Sequence, residues 1–99
     1  MFYRQDDYFN FETTPVMSTY LIAFVVSDFK SGNTIENFHI WAREGAIDQV
    51  KYRVDVGPAL LTAMEEFLNL KYLMPKMDEV AVPDFLAGAM ENWALATYR

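Results

Sequence analysis

Ninety-nine residues are enough for one small domain, and a composition of 53% hydrophobic and 22% charged residues indicates a globular rather than a disordered chain. The net charge of −6 argues against a nucleic-acid partner, and the absence of cysteine excludes disulfide bonds and thiolate metal sites. Aromatic residues make up 16% of the chain, more apolar surface than so short a sequence can cover, so we expect burial against another domain or a partner.

The first two predicted elements are strands. Residues 19–26 form a continuous apolar and β-branched run, typical of a strand that is buried on both faces. Residues 30–34 have the composition of a turn. In the second strand Phe38, Ile40 and Ala42 alternate with more polar positions, which predicts one buried face.

From residue 46 the apolar residues recur with a helical period, beginning with Ile47, Val50 and Val54. Pro58 lacks a backbone donor and crowds the carbonyl four residues earlier, so we expect either two helices or one kinked helix. The later part of the pattern predicts a core stripe made by Met64, Phe67 and Leu68.

Two short strands, residues 79–82 and 93–98, complete the predicted elements, and Pro83 ends the first of them. The order strand, strand, helix, strand, strand predicts an α+β fold with an incomplete sheet.

The most informative motif is Gly88-Ala89-Met90-Glu91-Asn92, which immediately precedes the last predicted strand. It resembles the exopeptidase signature of the zinc aminopeptidase family of the aminopeptidase N type, which includes insect members. Further blocks resemble that family in the same order; they are residues 14–21, 41–43, 46–49, 73–78 and 82–85. Where the family usually has glycine after Asn-Trp, this chain has Ala94; if that glycine is needed for close backbone packing or an unusual dihedral angle, the alanine adds a methyl group where none fits.

The resemblance implies a fold and a domain organisation. Residues 1–30 would end an N-terminal β domain, and residues 31–99 would begin a thermolysin-like catalytic domain. The family's zinc ligands, an H-E-x-x-H motif and a later glutamate, would lie downstream of residue 99. The zinc would therefore belong to the full-length protein, and we expect this chain alone to contain no catalytic or metal-binding residue and to be inactive.

The resemblance also implies a substrate-binding role for the motif. A carboxylate at Glu91 would accept charge-assisted hydrogen bonds from the free α-amino group of a peptide substrate. Gly88 and Ala89 would pair with the extended peptide, and Met90 would contact its first side chain. Asn92 completes this predicted substrate-binding segment.

Several residues have plainer interpretations. His39, the only histidine, is expected to be a satisfied or half-exposed strand residue and not a metal ligand. Glu65 and Glu66 are expected to form a solvated helix face and not a catalytic dyad.

An alternative function is a non-catalytic binding fragment, such as a receptor epitope for bacterial Cry toxins, as in insect gut members of the family. A free-standing small domain is a third interpretation. The family resemblance implies a membrane-anchored, extracellular parent protein, whose partners are peptides with a free N-terminus and the rest of the parent aminopeptidase.

Overall fold

The structure is a computed structural model that describes residues 2–32 and 35–99. The described chain contains seven β-strands, one α-helix and two 3₁₀ helices. The strands are β1 Phe2–Gln5, β2 Tyr8–Phe11, β3 Lys30–Ser31, β4 Phe38–Ala42, β5 Met77–Ala81, β6 Ala89–Met90 and β7 Leu95–Tyr98. The helix is α1 Lys51–Leu68, and the 3₁₀ helices are Thr19–Leu21 and Glu44–Val50.

Five of the strands form one mixed sheet in the order β3-β4-β5-β7-β6. The three central strands β4, β5 and β7 are parallel, and the two outer strands are antiparallel to their neighbours. Helix α1 connects β4 to β5, as a parallel pair requires. Strand β6 precedes β7 in the chain but lies on its outer side, so the segment at residues 88–90 is at an edge of the sheet.

The core lies between α1 and one face of this sheet. Phe38, Ile40 and Val54 form a buried cluster, and Val50 and Met77 pack against it. Residues of β4 alternate between buried and half-buried positions, which confirms the prediction that Phe38, Ile40 and Ala42 share an inward face.

Helix α1 continues through Pro58, so of the two alternatives, two helices or one kinked helix, the chain forms one helix, and the prediction of two helices is wrong. In the turn after Pro58, the hydroxyl of Thr62 donates to the carbonyl of Pro58 at 3.1 Å. The helix ends at Asn69, which has a left-handed φ of 52° and donates its amide to the Glu66 carbonyl at 3.3 Å.

The prediction of a strand over residues 19–26 is wrong. Residues 19–21 form a 3₁₀ helix, and the rest of the run has no regular structure. A strand needs a paired neighbour, and no described strand lies beside this run, so Phe24 and Val26 are 82% and 93% exposed.

The predicted core stripe on the second half of α1 is also wrong for this chain. Met64, Phe67 and Leu68 are all more than half exposed, because the described sheet covers only the first half of the helix. Their apolar spacing is that of a buried face, but no described element lies against it.

The two short strands predicted at residues 79–82 and 93–98 are present, with boundaries shifted by at most two residues. Together with β4 and α1 they make a mixed α/β arrangement that agrees with the predicted α+β class. Sequence analysis missed the hairpin of β1 and β2. The predicted turn at 30–34 is instead strand β3 at residues 30–31, and its residues 33–34 lie outside the described residues.

Candidate functional site

The Gly88–Asn92 segment is held to the sheet from one side. Ala89 pairs with Tyr98 and Met90 pairs with Thr97, and the Arg99 amide donates to the Gly88 carbonyl at 3.0 Å. These contacts all come from β7. The opposite edge of β6 has no strand beside it among the described residues, so its backbone is available to pair with an extended chain.

An open pocket of about 350 Å³ lies beside this segment. Four of the five motif residues line it, and Gly88 does not. The remaining walls are largely apolar and aromatic; the lining comprises Tyr72, Met77, Ala89, Met90, Glu91, Asn92, Trp93, Ala96 and Tyr98.

Among the described residues that line this pocket, Glu91 is the only one with an acidic side chain. The residue is exposed, and it forms no hydrogen bond or ion pair with the part of the chain that the structure describes. Its carboxylate therefore keeps its full capacity to accept hydrogen bonds from a cationic ligand.

Asn92 has a different position from Glu91, because it is 92% buried. The Thr97 hydroxyl lies 3.5 Å from its side-chain oxygen, and its backbone carbonyl accepts the Leu95 amide at 3.2 Å. This last bond closes a tight turn over residues 92–95. Asn92 thus serves the turn that follows Glu91, in addition to lining the pocket.

Ala94 occupies the third position of that turn with a φ of 64°. A positive φ at this position is the geometry of a type II turn, in which glycine is strongly preferred. Ala94 is also 91% buried. The structure therefore confirms that the glycine usual in the family would suit an unusual dihedral here.

Three polar side chains support the turn from β4 and β5. Asp78 accepts hydrogen bonds from His39 Nδ1 at 2.9 Å and from Lys76 Nζ. Lys76 Nζ also donates to the Ala94 carbonyl at 3.0 Å. This network was not predicted from the sequence; the available signal was that Lys76, immediately before β5, and Asp78 within it are two residues apart, the spacing at which extended residues share a face. His39 is a half-buried strand residue with a partner, as predicted.

An ion pair between the half-exposed Arg53 and the buried Glu79 joins the helix to the middle of the sheet. The Arg53 guanidinium donates through Nε and a terminal nitrogen to the two carboxylate oxygens of Glu79, which is 3% exposed. These hydrogen bonds to Glu79 raise the pKa of Arg53 despite its partial desolvation. Because a buried carboxylate without its partner is costly, this pair helps to fix α1 over β5.

Tyr72 closes one side of the pocket, and its hydroxyl lies 3.2 Å from the Met77 sulfur. Burial raises the pKa of the Tyr72 phenol, so this wall is neutral near pH 7. Its backbone amide donates to Glu65 at 2.7 Å, and this bond lowers the pKa of the Glu65 carboxyl. Glu65 therefore supports the loop after α1 and does not form a dyad with the exposed Glu66.

The described residues do not fit a zinc site. Among them, no three His, Cys, Asp or Glu side chains come together in a way that could hold a metal ion. The one histidine ring is already engaged with Asp78. None of the described helices combines the length and hydrophobicity that a membrane span requires.

Comparison with known proteins decides the family. Residues 52–99 match the peptidase family M1 domain. Aminopeptidase N of Mus musculus is 46% identical over 95 residues, which are 90% of this chain and 10% of that protein. Aminopeptidase N of Canis lupus familiaris is 48% identical with the same coverage, and endoplasmic reticulum aminopeptidase 1 of Mus musculus is 44% identical over 91% of this chain and 10% of that protein. The chain belongs to the M1 peptidase family, aminopeptidase N type.

This M1 peptidase chain spans about a tenth of the length of the relatives it matches. The family match begins on α1 and runs through β5, β6 and β7, so it includes the pocket, Glu91 and the turn at Ala94. No observation bears on a Cry toxin as partner, so the toxin-receptor alternative stays a hypothesis.

Proposed function

We propose that this chain is the part of a zinc aminopeptidase that binds the free α-amino group of a peptide substrate. The observation that best supports this proposal is the position of Glu91. Its exposed carboxylate has no partner among the described residues, and it lines a pocket next to an edge strand. An α-ammonium group has three donors, and a carboxylate in a partly dehydrated pocket accepts them more strongly than a neutral acceptor would.

The edge strand supports the same proposal. A peptide substrate in extended conformation would add to β6 through the backbone of Gly88 and Ala89, with its N-terminus at Glu91. An aminopeptidase acts on the first residue of a peptide, so the substrate must not continue beyond its α-amino group. By binding that group, Glu91 would define where the N-terminus of the substrate lies. The thioether of Met90 would contact the first substrate side chain with adaptable apolar surface.

The metal belongs to the proposed parent enzyme and not to the residues described here. By family resemblance, zinc would be held by an H-E-x-x-H helix and a further glutamate on a later part of the chain. We place the domain boundary near residue 30 on the same grounds. Relatives named aminopeptidase N and endoplasmic reticulum aminopeptidase 1 support a location outside the cytoplasm.

Replacement of Glu91 in the complete parent enzyme tests this proposal. Glu91→Gln and Glu91→Ala should each lower kcat/KM for an aminoacyl anilide by about 30-fold or more, because loss of one partner of a hydrogen-bonded charge pair costs about 2–5 kcal/mol.

Glu66→Gln is the matched control, since Glu66 is an exposed glutamate on α1, outside the pocket. It should leave kcat/KM unchanged. Wild-type turnover in Glu91→Ala would refute the assigned role.

A further inference from the structure

Lys76 makes two contacts that connect β5 to the turn after Glu91. Its ammonium group donates to the Asp78 carboxylate and, at 3.0 Å, to the backbone carbonyl of Ala94. The same carbonyl accepts the Asp78 amide at 3.1 Å. One turn carbonyl thus receives two donors, both from the beginning of β5.

The Asp78 carboxylate in turn orients the Lys76 side chain. The Asp78 side chain is 13% exposed, and its carboxylate lies between the lysine and His39 of β4, whose Nδ1 donates to it at 2.9 Å. A lysine stem has four rotatable bonds, so an ammonium group that approaches a carbonyl needs a second partner to hold it there. Three neighbouring strands, β4, β5 and β7, are linked by this network.

The turn needs such support because its backbone is strained. Ala94 has a φ of 64°, a left-handed conformation that a residue with a Cβ adopts only at an energetic cost. Residues in such conformations persist only where their surroundings hold them. The bonds to the Ala94 carbonyl supply that constraint, three residues after Glu91.

We propose that Lys76, oriented by Asp78 and His39, is a positioning residue for Glu91. It holds the Asn92–Leu95 turn in the conformation that directs the Glu91 carboxylate at the substrate amino group. This inference rests on the proposed function of Glu91 and adds a residue that does not itself touch the substrate. Without Lys76 the turn carbonyl would keep only the Asp78 amide, and Glu91 would become less well oriented.

The experiment compares inhibitor binding by variants of the complete parent enzyme. The probes are an amino-acid amide and its des-amino analogue, which differ only in the α-amino group. The ratio of their two inhibition constants measures how strongly the enzyme recognises the α-amino group. If a variant only lowers the fraction of folded enzyme, this ratio stays unchanged. The test variant is Lys76→Met, which keeps an unbranched apolar stem. Lys71→Met is the control, because Lys71 has an 85% exposed side chain whose one ion-pair partner among the described residues is Glu65.

Lys76→Met should reduce the preference for the amine-bearing probe by about tenfold, the loss expected for one hydrogen bond to a charged group. Lys71→Met should not change it. Lys76→Arg, which retains charge and donors, should restore part of the preference. In the Glu91→Gln background Lys76→Met should cause no further loss, because the two residues act on the same contact.

The outcomes separate the two proposals. An unchanged ratio in Glu91→Gln overturns the proposed function. A reduced ratio in Glu91→Gln with an unchanged ratio in Lys76→Met overturns only the positioning role. Equal weakening of both probes in Lys76→Met also overturns that role, because it shows general damage to the site.

Discussion

Ala94 illustrates at the residue scale how one dihedral angle controls a site. The residue is buried, has a φ of 64°, and holds the third position of the turn that follows Glu91 and Asn92. Glycine adopts this conformation at no steric cost, whereas alanine places a Cβ against the following carbonyl. The Lys76 and Asp78 donors on its carbonyl offset part of this strain.

We predict that Ala94→Gly stabilises the parent enzyme by about 0.5–1 kcal/mol. Relief of the left-handed strain is worth about 1–2 kcal/mol, and the greater freedom of glycine in the unfolded chain costs about 0.4–1 kcal/mol. The urea midpoint for loss of activity should therefore rise.

Ala96→Gly is the matched control for that prediction. Ala96 is equally buried, lies within β7, and does not have a positive φ. Its replacement should therefore lower the midpoint by the ordinary cost of glycine in a strand, about 0.5–1 kcal/mol. A lower midpoint for Ala94→Gly as well would contradict the strain argument.

At the scale of secondary-structure elements, the main feature is the close contact between α1 and β4. Gly57 lies directly over the buried Phe38 ring, and a Cβ built on Gly57 would lie 2.3 Å from the ring carbon Cζ. The Arg53 guanidinium covers the same ring, with its carbon 5.9 Å from the ring centroid. The ring is therefore enclosed, and the helix approaches the sheet this closely only because residue 57 has no side chain.

We predict that Gly57→Ala destabilises the fold by about 1 kcal/mol. Overpacking a core costs about 1–3 kcal/mol, and the helix-propensity gain from glycine to alanine offsets about 1 kcal/mol of that cost. The thermal midpoint of the parent enzyme should fall.

Gly45→Ala provides the control, because no other atom lies within 4 Å of a Cβ at that position. It should leave the midpoint unchanged or raise it slightly. Phe38→Leu combined with Gly57→Ala should recover part of the loss; an equal or larger loss in the double variant would show that the ring contact is not the cause.

The distribution of apolar surface is the main feature of the whole molecule. The core is confined to one face of the sheet and the first half of α1, while Phe67 and Leu86 are 82% and 99% exposed. Phe24 and Val26 lie in a run without strand partners among the described residues. Exposed apolar surface of this extent favours association over a soluble monomer.

We predict that the 99-residue chain expressed alone associates or aggregates, as measured by light scattering against concentration. Replacing Met64 and Phe67 by glutamate should reduce the scattering, because both side chains lie on the exposed face of α1. Replacing the exposed Thr62 and Glu66 with other polar residues should not reduce the scattering. A sharp, cooperative melt of a soluble monomer of the unaltered chain would contradict this prediction.

Sequence patterns predicted those elements whose stability is local. The alternation of Phe38, Ile40 and Ala42 predicts a half-buried strand, and the spacing of Val50 and Val54 predicts a helix face, because both periods follow from backbone geometry. The Gly88–Asn92 motif was sufficient to indicate the family. The prediction failed at residues 19–26, because a strand depends on a partner that the local sequence does not specify.

Tertiary structure alone decided where those elements meet. It placed β6 outside β7, so that Glu91 lies beside a pocket whose far wall includes Tyr72 and Met77. It also brought Lys76 to the Ala94 carbonyl, 18 positions later in the chain. Such contacts depend on strand order and register, and these are set by long-range packing, which local periodicity in the sequence does not encode.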